Sequence, residues 1–251
     1  MSEKRTAIEK ALSVLECFSK VQPELSVSEI AQKLDLPFPS AHRIVKTLIE
    51  SGYIYKNQNT KLLSLGAKLY YLGKIASTSV NIINISLPLM ENLRDKTNET
   101  VNLYFREGDY RICYEHAISN QTLKHSVELG KHLPLWAGAS GKCFMAFLAP
   151  DHLEKVIAQA EKLTVNTITK REDFVNEIHK IMEKGFAISD SEREEGVSSV
   201  AAPIFNHESK MIACITISGP SFRILGAQLD SIIKNVTEYA AKISSLLGYK
   251  K

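Results

Sequence analysis

The run Leu133-Pro134-Leu135-Trp136-Ala137-Gly138-Ala139-Ser140-Gly141-Lys142 is the stretch best able to do chemistry. Small residues lead directly into a predicted helix. Free amides at a helix start, together with the helix dipole, attract anions. A carboxylate or phosphate could dock there, with Trp136 as an apolar wall; close strand–helix packing accounts for the same small residues. The Gly-Lys ending raises a phosphate-binding P-loop, but that motif needs Gly at 136 and Ser or Thr at 143. Trp136 and Cys143 stand there instead.

A second polar group is Ser189-Asp190-Ser191-Glu192-Arg193-Glu194-Glu195-Gly196-Val197-Ser198-Ser199. Acidic loops are usually solvated, yet Ser199 opens a predicted strand and its hydroxyl could face a cavity. Thr216 and Ser218 alternate on a later strand and share one face. A hydrolase would need Ser140 near His116 or His125 within a nucleophile elbow. Gly138-Ala139-Ser140-Gly141 closes one residue too early for G-x-S-x-G. Cys17, Cys113, Cys143 and Cys214 show no C-x-x-C pairing or ligand spacing, so they read as structural thiols, and neither a metal nor a cofactor is expected.

Near the N-terminus the polar residues Ser40, His42, Arg43, Lys46 and Thr47 sit on a predicted helix whose apolar face is Ile44, Val45, Leu48 and Ile49. Such a face reads DNA when first-turn side chains reach base edges. Ser40, His42 and Arg43 would do so, while Lys46, Lys56, Asn57, Asn59 and Lys61 would reach phosphates. The elements around them fit. Ile8, Ala11, Leu12, Leu15 and Phe18 make an amphipathic helix. Ser26 with Glu29 forms a capping box for a second. Pro37 ends the turn, and Pro39 suits the first turn of a third, over about 39–51. Residues 53–56 and 61–65 flank a polar turn and predict a hairpin. This is a winged helix-turn-helix. Residues 1–65 hold nine Lys/Arg against seven Asp/Glu, so charge alone supports DNA binding weakly, and a protein-docking module remains the alternative.

A linker helix is predicted from Gly66 to about Ser79, and a further helix over 81–96 interrupted at Pro88. Strands follow at 101–105, 110–115 and 122–129. Helices are expected at 141–148, 151–160 and 172–184, then strands at 186–189, 199–205 and 211–218, and a closing helix over 225–247. Strands in one sheet with helices beside it make an α+β domain. The chain has 251 residues, a net charge of +3 and 44% hydrophobic content, enough for two domains. Without an apolar run of about 18 residues or a signal-type N-terminus, it is expected in the cytoplasm and off the membrane.

In order and spacing, these residues resemble the isocitrate-lyase-regulator (IclR) family of bacterial transcription factors. The resemblance rests on Ala11-Leu12-Ser13-Val14-Leu15-Glu16, Ser28-Glu29-Ile30-Ala31, Ala41-His42-Arg43, Gly52-Tyr53 and Leu65-Gly66. It continues with Leu133-Pro134-Leu135, Ala139-Ser140-Gly141-Lys142, Gly185-Phe186-Ala187, Glu195-Gly196-Val197, Ala201-Ala202-Pro203 and Ser218-Gly219-Pro220. It implies a winged helix-turn-helix over 1–66, a linker helix over 67–80 and a GAF-like effector domain over 81–251. It also implies a homodimer or homotetramer, a palindromic double-stranded DNA operator and a small-molecule effector, often a carboxylate. DNA contacts would come from Ser26, Ser28, Pro39, Ser40, His42, Arg43, Lys46, Lys56, Asn57, Asn59 and Lys61. Effector contacts would come from His125, Leu133, Ala139, Ser140, Gly141, Ser189, Val197, Ser199, Thr216 and Ser218. Two positions depart from the pattern. Ser189 stands where relatives can carry an acid, and Trp136 where a small residue or His is common.

Overall fold

The computed structural model describes residues 6–19, 21–78 and 81–250, with side chains 76–78 and 81 left aside. The chain forms two compact units, Met1–Val80 and Asn81–Lys251.

The first unit opens with α1 (Ala7–Glu16), α2 (Val27–Lys33) and α3 (Phe38–Glu50). Both early helices start in full capping boxes. Thr6 accepts from the Glu9 amide, Ser26 from the Glu29 amide, and each glutamate reaches back to its cap, so orphan donors are satisfied reciprocally. Pro37 caps α3 and Pro39 lies in its first turn, where a missing N–H costs nothing. Strands β1 (Ile54–Lys56) and β2 (Leu63–Leu65) pair antiparallel, and Leu25 bridges to Leu63. Val14, Leu25, Ile30, Val45, Leu48, Ile54 and Leu63 close one core. Helix α4 (Ala67–Thr78) follows a tight junction: Gly66 donates to the Tyr53 carbonyl at 2.8 Å, and the backbone of Gly52 and Tyr53 leaves no room there for a Cβ. The expected linker helix therefore belongs to this unit; Ser79 and Val80 fall outside the described residues.

The second unit begins with α5 (Asn81–Thr97) and builds a six-stranded antiparallel sheet. Its strands are β3 (Thr100–Glu107), β4 (Tyr110–Ala117), β5 (His132–Pro134), β6 (Ala187–Asp190), β7 (Val197–Phe205) and β8 (Met211–Pro220), in the order β5-β4-β3-β8-β7-β6. One face carries Leu103, Val200, Ala202, Ile215 and Ile217, all buried. Helices α5 and α10 (Leu229–Leu246) pack on each other and on the sheet. The other face meets α6 (Ala139–Met145), α7 (Pro150–Ala158) and α8 (Arg171–Lys184).

Three expectations are corrected. Residues 122–129 are not a strand; the edge strand is His132–Pro134. The earlier segment is held by side chains instead. His125 reaches Ser218, and the Val127 carbonyl faces His116 Nδ1 at 3.3 Å, so its apolar–polar alternation reflects anchoring, not a ladder. Pro88 does not interrupt α5, which runs unbroken through it. One lost backbone bond is outweighed by burial of Met90 and Leu93 on the following turns. The closing helix, α10, starts at Leu229 rather than about 225, and a separate short turn, α9 (Ser221–Ile224), precedes it.

Trp136, the sole tryptophan, belongs to the same buried core as wholly buried Phe174 of α8. Phe174→Ala should cost this unit about 3–5 kcal/mol, as large-to-small core changes do. The lowered denaturant midpoint would be read by Trp136 fluorescence; an unmoved midpoint would contradict this packing.

Candidate nucleic-acid interface and effector cavity

Helix α3 buries Ala41, Val45 and Leu48 and turns His42, Arg43, Lys46 and Thr47 to solvent, with Ser40 half-buried. Thr47 Oγ1 donates back to the Arg43 carbonyl at 3.1 Å, and Lys46 lies 3.9 Å from Glu50. Arg43 makes no ion pair among the described residues, so its guanidinium is available. Ser28 and Pro39 are exposed. The half-buried Ser26 spends its hydroxyl on the cap, accepting from the Glu29 amide and donating to the Glu29 carboxylate at 2.7 Å. In the hairpin, Asn57 Oδ1 accepts from the Asn59 and Thr60 amides at 2.9 and 3.2 Å. That Asx turn, with Lys61 at φ 60°, presents Asn59 and Lys61 outward, while Lys56 and Asn57 are half-buried.

Sheet register assembles the other site. Ser218 on β8 faces Ser199 on β7, which faces Ser189 on β6; one row along, Thr216, Ala201 and Ala187 are aligned likewise. Because side chains alternate across a strand, these residues share a face with Cys214, Tyr104 and Cys113 of the apolar core. The face therefore grades from apolar to polar. At its polar end lies a nearly closed cavity of about 30 Å³ of water-accessible volume, lined by Tyr104, Arg111, His125, Gly138, Ser140, Ser189, Arg193, Glu194, Val197, Ser199, Thr216 and Ser218. That is room for about two waters.

Seven of the ten sequence-expected effector residues line it: His125, Ser140, Ser189, Val197, Ser199, Thr216 and Ser218. Leu133, Ala139 and Gly141 stand behind the wall. Leu133 pairs with Arg111 across β4–β5, and Leu133 and Ala139 are core residues. Gly141 is packed against the Leu135 carbonyl and Arg111, whose Nη1 would lie 2.6 Å from a Cβ there. Sequence reasoning missed Tyr104, Arg111, Gly138, Arg193 and Glu194. Gly138, Arg193 and Glu194 lay within the two flagged segments without being singled out, and Arg111 left a fainter signal, an ionisable residue with the same strand parity as buried Cys113.

The start of α6 is already engaged. The Gly138 amide donates to Glu192 Oε2 at 3.2 Å, while Glu192 Oε1 accepts from Lys142 Nζ at 2.5 Å. Lys142 also donates to Glu177 and to the Ile188 carbonyl, each at 2.7 Å. The hydroxyls of Thr164 and Thr167 hold the Glu192 carbonyl. Arg111 is 2% exposed, stacks over Tyr104, and donates from Nη1 to the Pro134 carbonyl. Burial pushes its guanidinium down to about 10. Ser140 has no histidine partner, and His125 sits between Ser218 at 3.0 Å and Arg193 at 3.1 Å, so the hydrolase arrangement is not built. Since Arg193 can only donate, His125 Nε2 accepts and Nδ1–H points at Ser218.

Burial, reinforced by Arg193, pushes the His125 imidazole down to about 4. The folded form thus binds its proton less readily than the unfolded chain does, and the stability it supports at neutral pH is lost as pH falls from about 6.5 towards 4. His125→Asn should flatten that part of the pH–stability curve. Identical slopes for the variant and the parent between pH 7 and 4.5 would refute this environment for His125.

Comparison with known proteins places the chain. The model described as IclR helix-turn-helix domain matches residues 7–58, and that described as bacterial transcriptional regulator IclR C-terminal matches residues 75–245. The chain is similar to the HTH-type transcriptional regulator KipR of Bacillus subtilis (strain 168), 31% identical with 99% of this chain and 100% of that protein covered. The crystal structure of the Thermotoga maritima IclR matches with a TM-score of 0.79 at 29% identity, covering 96% of this chain and 98% of that one. An IclR homolog from Microbacterium hydrocarbonoxydans, solved with 4-hydroxybenzoate, shares the fold with a TM-score of 0.86 at 21% identity, covering 96% and 99% of the two chains. The relatives are named as regulators of transcription, and no described helix is long and apolar enough to cross a membrane. A helix-turn-helix unit with a solvent-facing third helix, an α+β unit with a buried polar cavity, and two family models that together span most of the sequence identify the chain as a DNA-binding transcriptional regulator of the IclR family.

Proposed function

We propose that this regulator binds a palindromic operator through α3 and the wing, and that a small carboxylate in the second unit's cavity modulates that binding. The outward polar face of α3, on a helix locked by its own core, carries the DNA reading. Ser40, His42 and Arg43 lie in the first turns, from which side chains reach base edges in the major groove. Lys46, Lys56, Asn57, Asn59 and Lys61 contact phosphates, with Ser28 and Pro39 beside them and Ser26 fixing the start of α2. The exposed apolar side chains Ile8, Leu12, Tyr70 and Tyr71 suit association with a second copy, as a homodimer or homotetramer; a two-fold assembly is what a palindrome requires. The setting is cytoplasmic.

The carboxylate reading rests on the cavity's chemistry. Two arginines and five Ser or Thr hydroxyls converge on a site with few apolar walls. A ligand there alters DNA binding only by its different affinity for DNA-competent and incompetent states.

Arg43→Ala should weaken specific operator binding by about 1–3 kcal/mol, the worth of a good bidentate base contact, with the thermal melt unchanged. Sequence preference retained in a gel shift would remove Arg43 from the readers. Lys61→Ala should instead lower the salt dependence of log K by about one phosphate contact and leave sequence preference intact; an unchanged slope would take the wing off the backbone. A thermal-shift screen of carboxylic acids should find compounds that raise the melting temperature and change operator affinity. Stabilisation without any change in DNA binding would reject regulation through this cavity.

A further inference from the structure

Arg111 is an anomaly in an otherwise neutralised interior. Every other charge near the cavity has a partner. Arg193 lies 3.3 Å from Glu194. Glu192 and Glu177 are both held by Lys142. His125 Nε2 accepts from Arg193 and lies 3.8 Å from Glu194, while Nδ1 faces the Ser218 hydroxyl. Arg111, 2% exposed, forms no ion pair with any described carboxylate. Its Nη1 is spent on the Pro134 carbonyl, while Nε is buried without a hydrogen-bond partner. A buried charge without a direct counter-ion is costly for a fold; Tyr104 below the guanidinium and Glu192 at longer range offset part of that cost, and the unmatched Nε leaves Arg111 able to take an anion from the cavity.

The free part of the guanidinium has a usable shape. Nη1 is the nitrogen on the Cδ side, so Nε–H and Nη2–H point out along the opposite edge. That edge is the fork which grips a carboxylate with two parallel bonds. The backbone is shaped around it. Gly138, at φ 89°, passes so close that a Cβ there would lie 2.8 Å from Arg111 Nη2.

The rest of the cavity, which at about 30 Å³ holds about two waters and must widen to admit a hydroxy acid, specifies the body of the ligand. The hydroxyls of Ser140, Ser189 and Ser199 make no hydrogen bond among the described residues and line the space directly. Ser218 accepts from Asn102 at 2.9 Å and from His125 at 3.0 Å, which leaves its own proton to donate. Net charge sets the ligand's valence. Among the residues that line the cavity, Arg111 and Arg193 outnumber Glu194 by one charge, which favours a monoanion; behind the wall, Glu192 and Glu177 share the one charge of Lys142.

We propose that Arg111 anchors the effector, its Nε–Nη2 edge receiving the carboxylate of a small hydroxy acid whose hydroxyl is met by the serines of the cavity. This rests on the reading of the cavity as the effector site, and deepens it by naming the anchor, the valence and the ligand class. Arg111 is then a specificity residue. It selects for charge, and the serines select for hydroxyls. The ligand also relieves the buried charge, so binding and stabilisation should be strongly coupled.

The test uses the full chain, with calorimetric titration and thermal melts. The ligands are glycolate, lactate and glycerate; lactamide as the neutral counterpart of lactate; propionate as the acid without a hydroxyl; and inorganic phosphate. Variants are Arg111→Gln, which keeps a donor for the Pro134 carbonyl without the charge, and Arg111→Lys, which keeps the charge without the fork. At least one hydroxy acid should bind and raise the melting temperature, lactamide should not, and propionate should bind more weakly than lactate. Arg111→Gln should lose about 10- to 100-fold in affinity, the value of a charge-assisted bond, and Arg111→Lys should fall between. Unliganded Arg111→Gln should melt no lower than the parent, because a buried unpaired charge has gone; a purely structural arginine would give a lower melt with affinity unchanged. Hydroxy-acid affinity within about threefold of the parent in Arg111→Gln, or lactamide binding as well as lactate, overturns the anchor and leaves the carboxylate reading standing. Phosphate binding alone, lost in Arg111→Gln, keeps the anchor and rejects the carboxylate. Binding by none of these anions overturns both.

Discussion

The buried ammonium of Lys142 organises the effector unit. It lies on α6 and is held by Glu192 from the loop after β6, by Glu177 of α8 and by the Ile188 carbonyl of β6. Removing Lys142 from this cluster is expected to cost about 3–5 kcal/mol, because Glu192 and Glu177 are then left unmatched in the interior. One cation therefore fixes three pieces of chain against each other. Glu192 carries the order further. Its second oxygen takes the Gly138 amide at the start of α6, and its carbonyl takes the hydroxyls of Thr164 and Thr167. The loop that supplies Arg193 and Glu194 to the cavity is thereby placed on a rigid support.

The cavity exists because one sheet face changes character along its length. At one end Tyr104, Cys113 and Cys214 pack under α6 and α8. Two residues along each strand the positions become Thr216, Ser218, Ser199 and Ser189. Apolar side chains there would have been covered and closed into the core. Hydroxyls under a helix start, with an arginine to one side, leave polar groups that are not all matched within the protein. Burial without full satisfaction is costly, and such cost is commonly carried where a ligand completes the set.

Much of this was legible in the residues. The capping box of Ser26-Glu29 and the prolines bounding α3 are local signals, and the Thr6-Glu9 box that the structure adds is of the same kind. Most elements formed within about three residues of their expected place because caps and apolar periodicity act over one or two turns. Period-two placement of Thr216 and Ser218 on one face held for the same reason. Where non-local pairing decided, local pattern misled. Residues 122–129 alternate like a strand, but Ile112 and Arg111 take His132 and Leu133 as partners instead. Pro88 reads as a break, and the packing of the next turn overrides it. The anion site expected at the α6 amides is part-filled by Glu192, a residue more than fifty positions away.

By itself, the sequence determined two domains, a winged helix-turn-helix with its outward residues, an α+β partner domain and the family. These follow from periodicity, turn chemistry and ordered motifs, all properties of neighbouring residues. Only the tertiary structure decided which seven of the ten expected effector residues share a cavity, that Arg111 joins them with its Nε unmatched, and that Arg193 and Glu194 cancel each other. Those outcomes depend on strand register and on which charges meet in the interior. Register and charge pairing are set by residues far apart in the chain, and no local pattern encodes them.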